Sequence, residues 1–146
     1  YFLLLQTFDR NLALVGAIGV GIARAAYELV RNLAREKDLL GKNTTANAYF
    51  ATALADMSAH IDAARLSVAR AAYHIDQEGN YSRTSTMAKL YATQVAQQVT
   101  SQAVDLVGRM GFLVGHPAEK FLRDAQMLSI IAGSDYLHRQ TVADQL

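Results

Sequence analysis

The chain has 146 residues, 51% of them hydrophobic, with one proline, nine glycines and no cysteine. This length suits one domain with a substantial core, and so few turn formers exclude a turn-rich all-β fold. A formal net charge of +1, without any block of like charges, gives no electrostatic footing for nucleic acid or a membrane surface. Without cysteine there are no disulfides, thiolate zinc sites or cysteine nucleophiles, which fits a reducing compartment.

The first predicted helix runs from about Thr7 to Lys37, with Thr7 and Asp9 giving its start capping character. Gly16, Gly19 and Gly21 each weaken it by roughly 1 kcal/mol relative to alanine, a cost that fits close approach of another backbone or a planar ligand. The longest apolar run, Leu12 to Ala23, is too short to cross a bilayer, so no membrane span is expected. Asp38 to Asn43 interrupts the chain, with Gly41 as the residue that ends the helix. A second helix runs from Thr44 or Thr45 to Gln77, with Leu54, Met57, Ile61, Ala64, Val68 and Ala72 as its apolar stripe. Gly79-Asn80 stops it, and Ser82 is the expected cap of a third helix over about 83–107. The stripe of that helix is Ala88, Ala92, Val95, Val99, Ala103 and Leu106.

Beyond a loop from Gly108 to Gly115, Pro117 opens a shorter helix to about Ile131. Gly133-Ser134 breaks it, and Ser134 or Asp135 caps a last helix to the terminus. Short connections make neighbouring helices antiparallel. The expected fold is all-α, an up-and-down four-helix bundle with a short trailing C-terminal helix.

Familiar metal and hydrolytic patterns are missing. The four glutamates, Glu28, Glu36, Glu78 and Glu119, lack a histidine three residues on, so the di-iron pattern of helical bundles fails. Asp135-x-x-His138 and Asp56-x-x-x-His60 each stand alone and read as polar pairs; no metal is expected. No G-x-S-x-G elbow occurs. Gly16-Ala17-Ile18-Gly19-Val20-Gly21 is not a dinucleotide fingerprint, since its spacing differs and no strand precedes it.

One ordered set of residues covers nearly the whole chain: Leu54-Ala55-Asp56-Met57, Ala63-Ala64-Arg65-Leu66, Met87-Ala88-Lys89, Gly108 with Gly111-Phe112, Pro117, Arg123-Asp124 and Gly133-Ser134. In that order and spacing the chain resembles the C-terminal helical domain of the acyl-CoA dehydrogenases. The resemblance implies that residues 1–146 are a piece of a longer three-domain chain, which also fits a start at Tyr1-Phe2 without methionine. It implies FAD and an acyl-CoA thioester between this bundle, an N-terminal helical domain and a middle β-domain. It further implies oxidation to the 2,3-enoyl-CoA, an electron-transfer acceptor protein, and a homo- or hetero-oligomer (dimer or tetramer). The location expected is cytoplasmic, or the mitochondrial matrix in a eukaryote.

The same resemblance locates site residues. The usual catalytic glutamate position is Ala132, whose backbone amide would serve the thioester carbonyl, next to Gly133. Isovaleryl-type members carry the carboxylate on the first helix instead, and that position is Asp9 here; its competing reading is a helix cap. Arg10 corresponds to an arginine near the CoA phosphates. Flavin contacts fall on Lys37 and Leu40, on Asp105, Gly108 and Arg109, and on Ser134 and Tyr136. Several depart from the family pattern: lysine for arginine at Lys37, Ala48 for glutamine, Asp105 for glutamine and Arg109 for glycine. Those departures leave open a non-catalytic structural partner of such an enzyme, and Ala132 leaves open a related flavin monooxygenase, which needs no α-carbon base.

Overall fold

A computed structural model describes residues 2–37, 45–77, 79 and 81–146. Among them the chain forms α1 (Phe2–Glu36), α2 (Thr45–Asp76), α3 (Tyr81–Val107), a 3₁₀ turn (Gly108–Phe112), α4 (Pro117–Leu128) and α5 (Asp135–Ala143), with no strand. α3 is the hub and packs on all four other helices, while α2 and α4 each pack on α1 and α3 but not on one another. The bundle is therefore built around an α1–α3 diagonal, with α2 on one side, α4 on the other and α5 resting on α3.

Glycine makes that diagonal possible. A methyl built on Gly16 would stand 3.3 Å from the carbonyl oxygen of Ala88, and one built on Gly19 would stand 3.1 Å from that of Ala92. Gly21, by contrast, meets nothing within 4 Å. With Arg10 stacked over Tyr81, the contacts advance in the same direction along both helices, so α1 and α3 run parallel. Alanine continues the close approach: Ala23, Ala26 and Ala34 of α1, and Ala92, Ala96 and Ala103 of α3, are completely buried. Met57, Val30, Val95 and Val99 fill the larger spaces, each burial stabilising the fold by about 1.5–3 kcal/mol. Thr86, Thr93 and Thr100 are also fully enclosed in α3, and each hydroxyl donates to the carbonyl four residues back, at 2.8, 2.9 and 2.7 Å.

Several boundaries differ from expectation. α1 starts at Phe2, because the apolar residues before Thr7 continue the helix. Thr7 and Asp9 thus lie inside it, and the cap reading of Asp9 falls. α1 is also longer than its central apolar run suggests: by length and composition Gln6–Glu36 is long and apolar enough to cross a membrane. Its buried stripe is spent on the bundle core, against α3 and α2. Ser82 lies within the first turn of α3, which begins at Tyr81, and its carbonyl accepts from Thr86 rather than its hydroxyl capping the helix. The α2 stripe drifts toward its end, where Ala71 is buried and Ala72 exposed, as expected when a 3.6-residue period is extended over many turns. α4 stops at Leu128, three residues before Ile131, and α5 stops at Ala143. Pro117 occupies the first turn of α4 as expected, and His116 caps it, Nδ1 accepting from the Ala118 N–H at 3.2 Å. The break at 38–43, with Gly41, lies outside the described residues.

Candidate functional site

The chain does something unusual between α4 and α5. The N–H groups of Ile130 and Ile131 both donate to the carbonyl of Met127, and Gly133 N–H donates to Ile130. The chain then reverses through two left-handed residues, Ala132 with φ +60° and Gly133 with φ +110°. Ala132 is the one non-glycine residue with positive φ among those described, a conformation that costs an alanine about 1–2 kcal/mol. Among the described residues its N–H has no hydrogen-bond partner. Ser134 follows as the N-cap of α5, its Oγ accepting from Leu137 N–H at 3.4 Å. That leaves the hydroxyl proton of Ser134 free to donate elsewhere.

Two buried side chains hold this turn. The whole side chain of Lys89 is enclosed, and its Nζ donates to the carbonyls of Ser129 (3.2 Å) and Gly133 (3.1 Å) and to Asp135 Oδ1 (3.0 Å). An ammonium has three donors, and each is used; without such partners a buried charge would be strongly unfavourable. His138, on the first turns of α5, is nearly as buried and packs against Gly133. Its Nε2 is enclosed without a hydrogen-bond partner among the described residues. Burial, reinforced by the positive charge of Lys89, lowers its pKa below 6.5, with Asp135 and the backbone at Ala132 and Gly133 acting the other way. The sequence reading missed both residues as parts of the site.

The expected site residues fall into separate groups. Ala132, Gly133, Ser134 and Tyr136 share the turn, where Ser134 and Tyr136 are exposed and the Tyr136 hydroxyl accepts from Gln140. Asp9 and Arg10 are neighbours on α1. Asp9 is half-buried without a hydrogen bond or ion pair among the described residues. The exposed Arg10 has its guanidinium carbon 5.5 Å from the centre of the Tyr81 ring, a stacking worth about 0.5–1 kcal/mol at such a site. Arg10 and Asp76 flank a largely apolar groove between α1 and α2, floored by Ala13, Leu14, Ala17, Val68 and Ile75.

At the opposite end of the bundle lie Asp105, Gly108 and Arg109, and Lys37 just beyond the end of α1. Asp105, Arg109 and Lys37 are exposed. Because α1 and α3 are parallel, these ends coincide, and Lys37 stands about 40 Å along α1 from Asp9. Gly108 needs its glycine, with φ +77°. Arg109 has no left-handed backbone, so an arginine there costs this fold nothing; the glycine required for close packing is Gly111, whose added methyl would stand 3.1 Å from the Val104 carbonyl. Leu40 lies outside the described residues. No group of three or more potential metal-ligating side chains occurs among the described residues.

Comparison with known proteins gives this geometry its setting. Residues 3–146 match the family model for the acyl-CoA dehydrogenase C-terminal domain. The chain is 29% identical over its full length to cyclohexane-1-carbonyl-CoA dehydrogenase of Geobacter metallireducens, of which it covers 38%. It is 31% identical over 97% of its length to mitochondrial short-chain specific acyl-CoA dehydrogenase of Mus musculus, covering 34% of that protein. Among solved structures, butyryl-CoA dehydrogenase from Megasphaera elsdenii superposes with a TM-score of 0.87 at 26% identity, over 96% of this chain and 37% of that one. The chain thus spans little more than a third of the length of each of these relatives.

Proposed function

We propose a function for this chain from the premise that it belongs to the acyl-CoA dehydrogenase family, as the C-terminal helical domain. Within a longer protein it forms one wall of a site that oxidises an acyl-CoA thioester to the 2,3-enoyl-CoA. One observation carries the reading: a left-handed turn, fixed from both sides by buried side chains, that leaves the Ala132 N–H without a partner among the described residues. A preset donor of this kind suits a thioester carbonyl that gains negative charge as its α-proton leaves.

In this reading Asp9 takes the α-proton, because Ala132 has no side chain able to do so. A carboxylate with no competing partner can accept a proton without first breaking an ion pair. Arg10 faces the charged end of the substrate, Gly133 lines the turn beside the thioester, and the Ala132 N–H holds the carbonyl.

The residues available also fit FAD. Ser134 has a free hydroxyl proton beside an open surface, and the exposed cations Lys37 and Arg109 suit a pyrophosphate, although Asp105 adds a negative charge nearby. When bound, FAD would supply the acceptor for the β-hydride. Ser134 and Tyr136 would hold its flavin half, and Lys37, Asp105, Gly108 and Arg109 the nucleotide half. The distance between those two groups favours a cofactor shared between copies in a dimer or tetramer. Reoxidation then calls for an electron-transfer acceptor protein, and a cysteine-free chain is suited to the cytoplasm or mitochondrial matrix. The isolated domain, lacking the other walls of the site, should not turn over substrate.

The test is anaerobic titration of the full-length protein with a panel of acyl-CoAs, following the visible flavin spectrum. Bleaching that is lost in an Asp9→Asn variant retaining its flavin supports the dehydrogenase and its base. Protein that takes up no flavin would favour the non-catalytic partner instead.

A further inference from the structure

The geometry points to Lys89 as the positioning residue of the thioester-binding turn, fixing the Ala132 N–H relative to α1; this rests on the reading of that N–H as the carbonyl donor. The three acceptors of Lys89 come from both limbs of the turn. Ser129 precedes the reversal, and Gly133 and Asp135 follow it, at 3.2, 3.1 and 3.0 Å. Pulling the two limbs onto one ammonium brackets Ala132 between them. None of these contacts is to Ala132 itself, so its N–H stays available while its direction is fixed.

The other end of Lys89 is equally constrained. It belongs to the first third of α3, between Ala88 and Ala92, whose carbonyls form the close seam with Gly16 and Gly19 of α1. The Lys89 backbone therefore moves with α1, and its ammonium carries that register to the turn. Asp9 stands on α1 two turns before Gly16. The placement of base and carbonyl donor is thus passed through Lys89, and the enclosing core keeps water from competing for its ammonium. No other side chain bonds to both limbs of the turn among the described residues.

The experiment uses the full-length flavoprotein and a Lys89→Met variant, which keeps the length of the side chain and removes its donors. Three readouts are taken: steady-state kinetics, amide hydrogen exchange across residues 129–135, and the absorption of bound indoleacryloyl-CoA. The absorption of that probe moves to longer wavelength as its carbonyl is polarised. We expect kcat to fall about a hundredfold, as for a reacting group displaced by ~1 Å, while KM changes by less than about threefold. The probe's red shift should shrink, exchange at residues 129–135 should accelerate, and flavin content should remain unchanged. A folded variant with an undiminished red shift, or one in which only KM changes, overturns the assignment.

If Lys89→Met does not fold, Asp135→Asn weakens one of the three contacts from the partly exposed side. It should give the same changes in exchange and red shift to a smaller extent, and no change in either overturns the assignment. Wild-type protein that neither bleaches with acyl-CoA nor shifts the probe overturns the functional reading and this assignment together. An active wild type with an unaltered variant overturns this assignment alone.

Discussion

Gly133 lies directly against the imidazole of His138: a methyl group on its α-carbon would stand 3.0 Å from both Cε1 and Nε2. The backbone there is also left-handed, so an L side chain is opposed twice, by conformation and by space. Gly133→Ala should destabilise the protein by about 2 kcal/mol, as read by thermal or urea unfolding. A neutral result would mean that the turn relaxes away from His138.

His138 also makes stability depend on pH in a definite direction. Its folded pKa is held below 6.5, so over an interval below that value the unfolded chain binds a proton that the folded chain refuses. Unfolding then becomes easier as acid is added. Its stabilising contribution is complete above about pH 6.5 and falls away as the pH drops through the depressed folded value. Melting temperatures measured between pH 8 and pH 5 should fall less steeply in His138→Gln than in the wild type, since glutamine does not titrate. Equal slopes would show that the imidazole protonates without resistance.

The two positions proposed for carboxylate chemistry can be tested against one another. Asp9→Asn should lower kcat by about a thousandfold, within the range for loss of a general base. If the turn faces the same substrate, adding Ala132→Glu to that variant should restore part of the loss. Stopped-flow flavin reduction measures both. Failure of the double variant to recover would separate the turn from the reacting carbon.

Ala132→Gly isolates the conformational cost of the turn. Glycine adopts φ near +60° without the penalty borne by alanine, so stability should rise by about 1 kcal/mol, read from the denaturation midpoint. No gain would mean that the freedom glycine adds to the unfolded chain cancels the relief.

Gly19 and Gly21 form a matched pair on one helix. Alanine has the same intrinsic advantage of about 1 kcal/mol at either position. At Gly21 nothing stands within 4 Å of the new methyl, so Gly21→Ala should stabilise by nearly that amount. At Gly19 the methyl would meet the Ala92 carbonyl oxygen at 3.1 Å, and overpacking of about 1–3 kcal/mol should reverse the sign. Equilibrium unfolding of the two variants, measured side by side, checks both.

Much of this architecture is legible where the signal is local or periodic. The α3 stripe from Ala88 to Leu106 is buried throughout, Pro117 opens α4, and Ser134 caps α5. The helix start at Phe2 was less visible, because Thr7 and Asp9 are good capping residues wherever they stand. Lys89 was illegible as part of a site for a different reason. Its partners lie 40 to 46 residues away, and a lysine among alanines and leucines ordinarily reads as one that reaches solvent. Thr86 and Thr93, which are buried with it, lie on a flank of α3 away from the apolar stripe, so the periodicity did not mark that flank as interior. The left-handed Ala132 had no clue of its own, since glycine is the usual signal for that conformation.

The parallel seam between α1 and α3 also bears on the order of folding. Its two halves are separated by the whole of α2, whereas the α2–α3 pair is joined by only a few residues. Chain closure over the longer span costs more entropy and brings no contact until it is complete. The seam should therefore consolidate after the α2–α3 hairpin, late on the downhill side of the barrier. Gly19→Ala would then speed unfolding far more than it slows refolding.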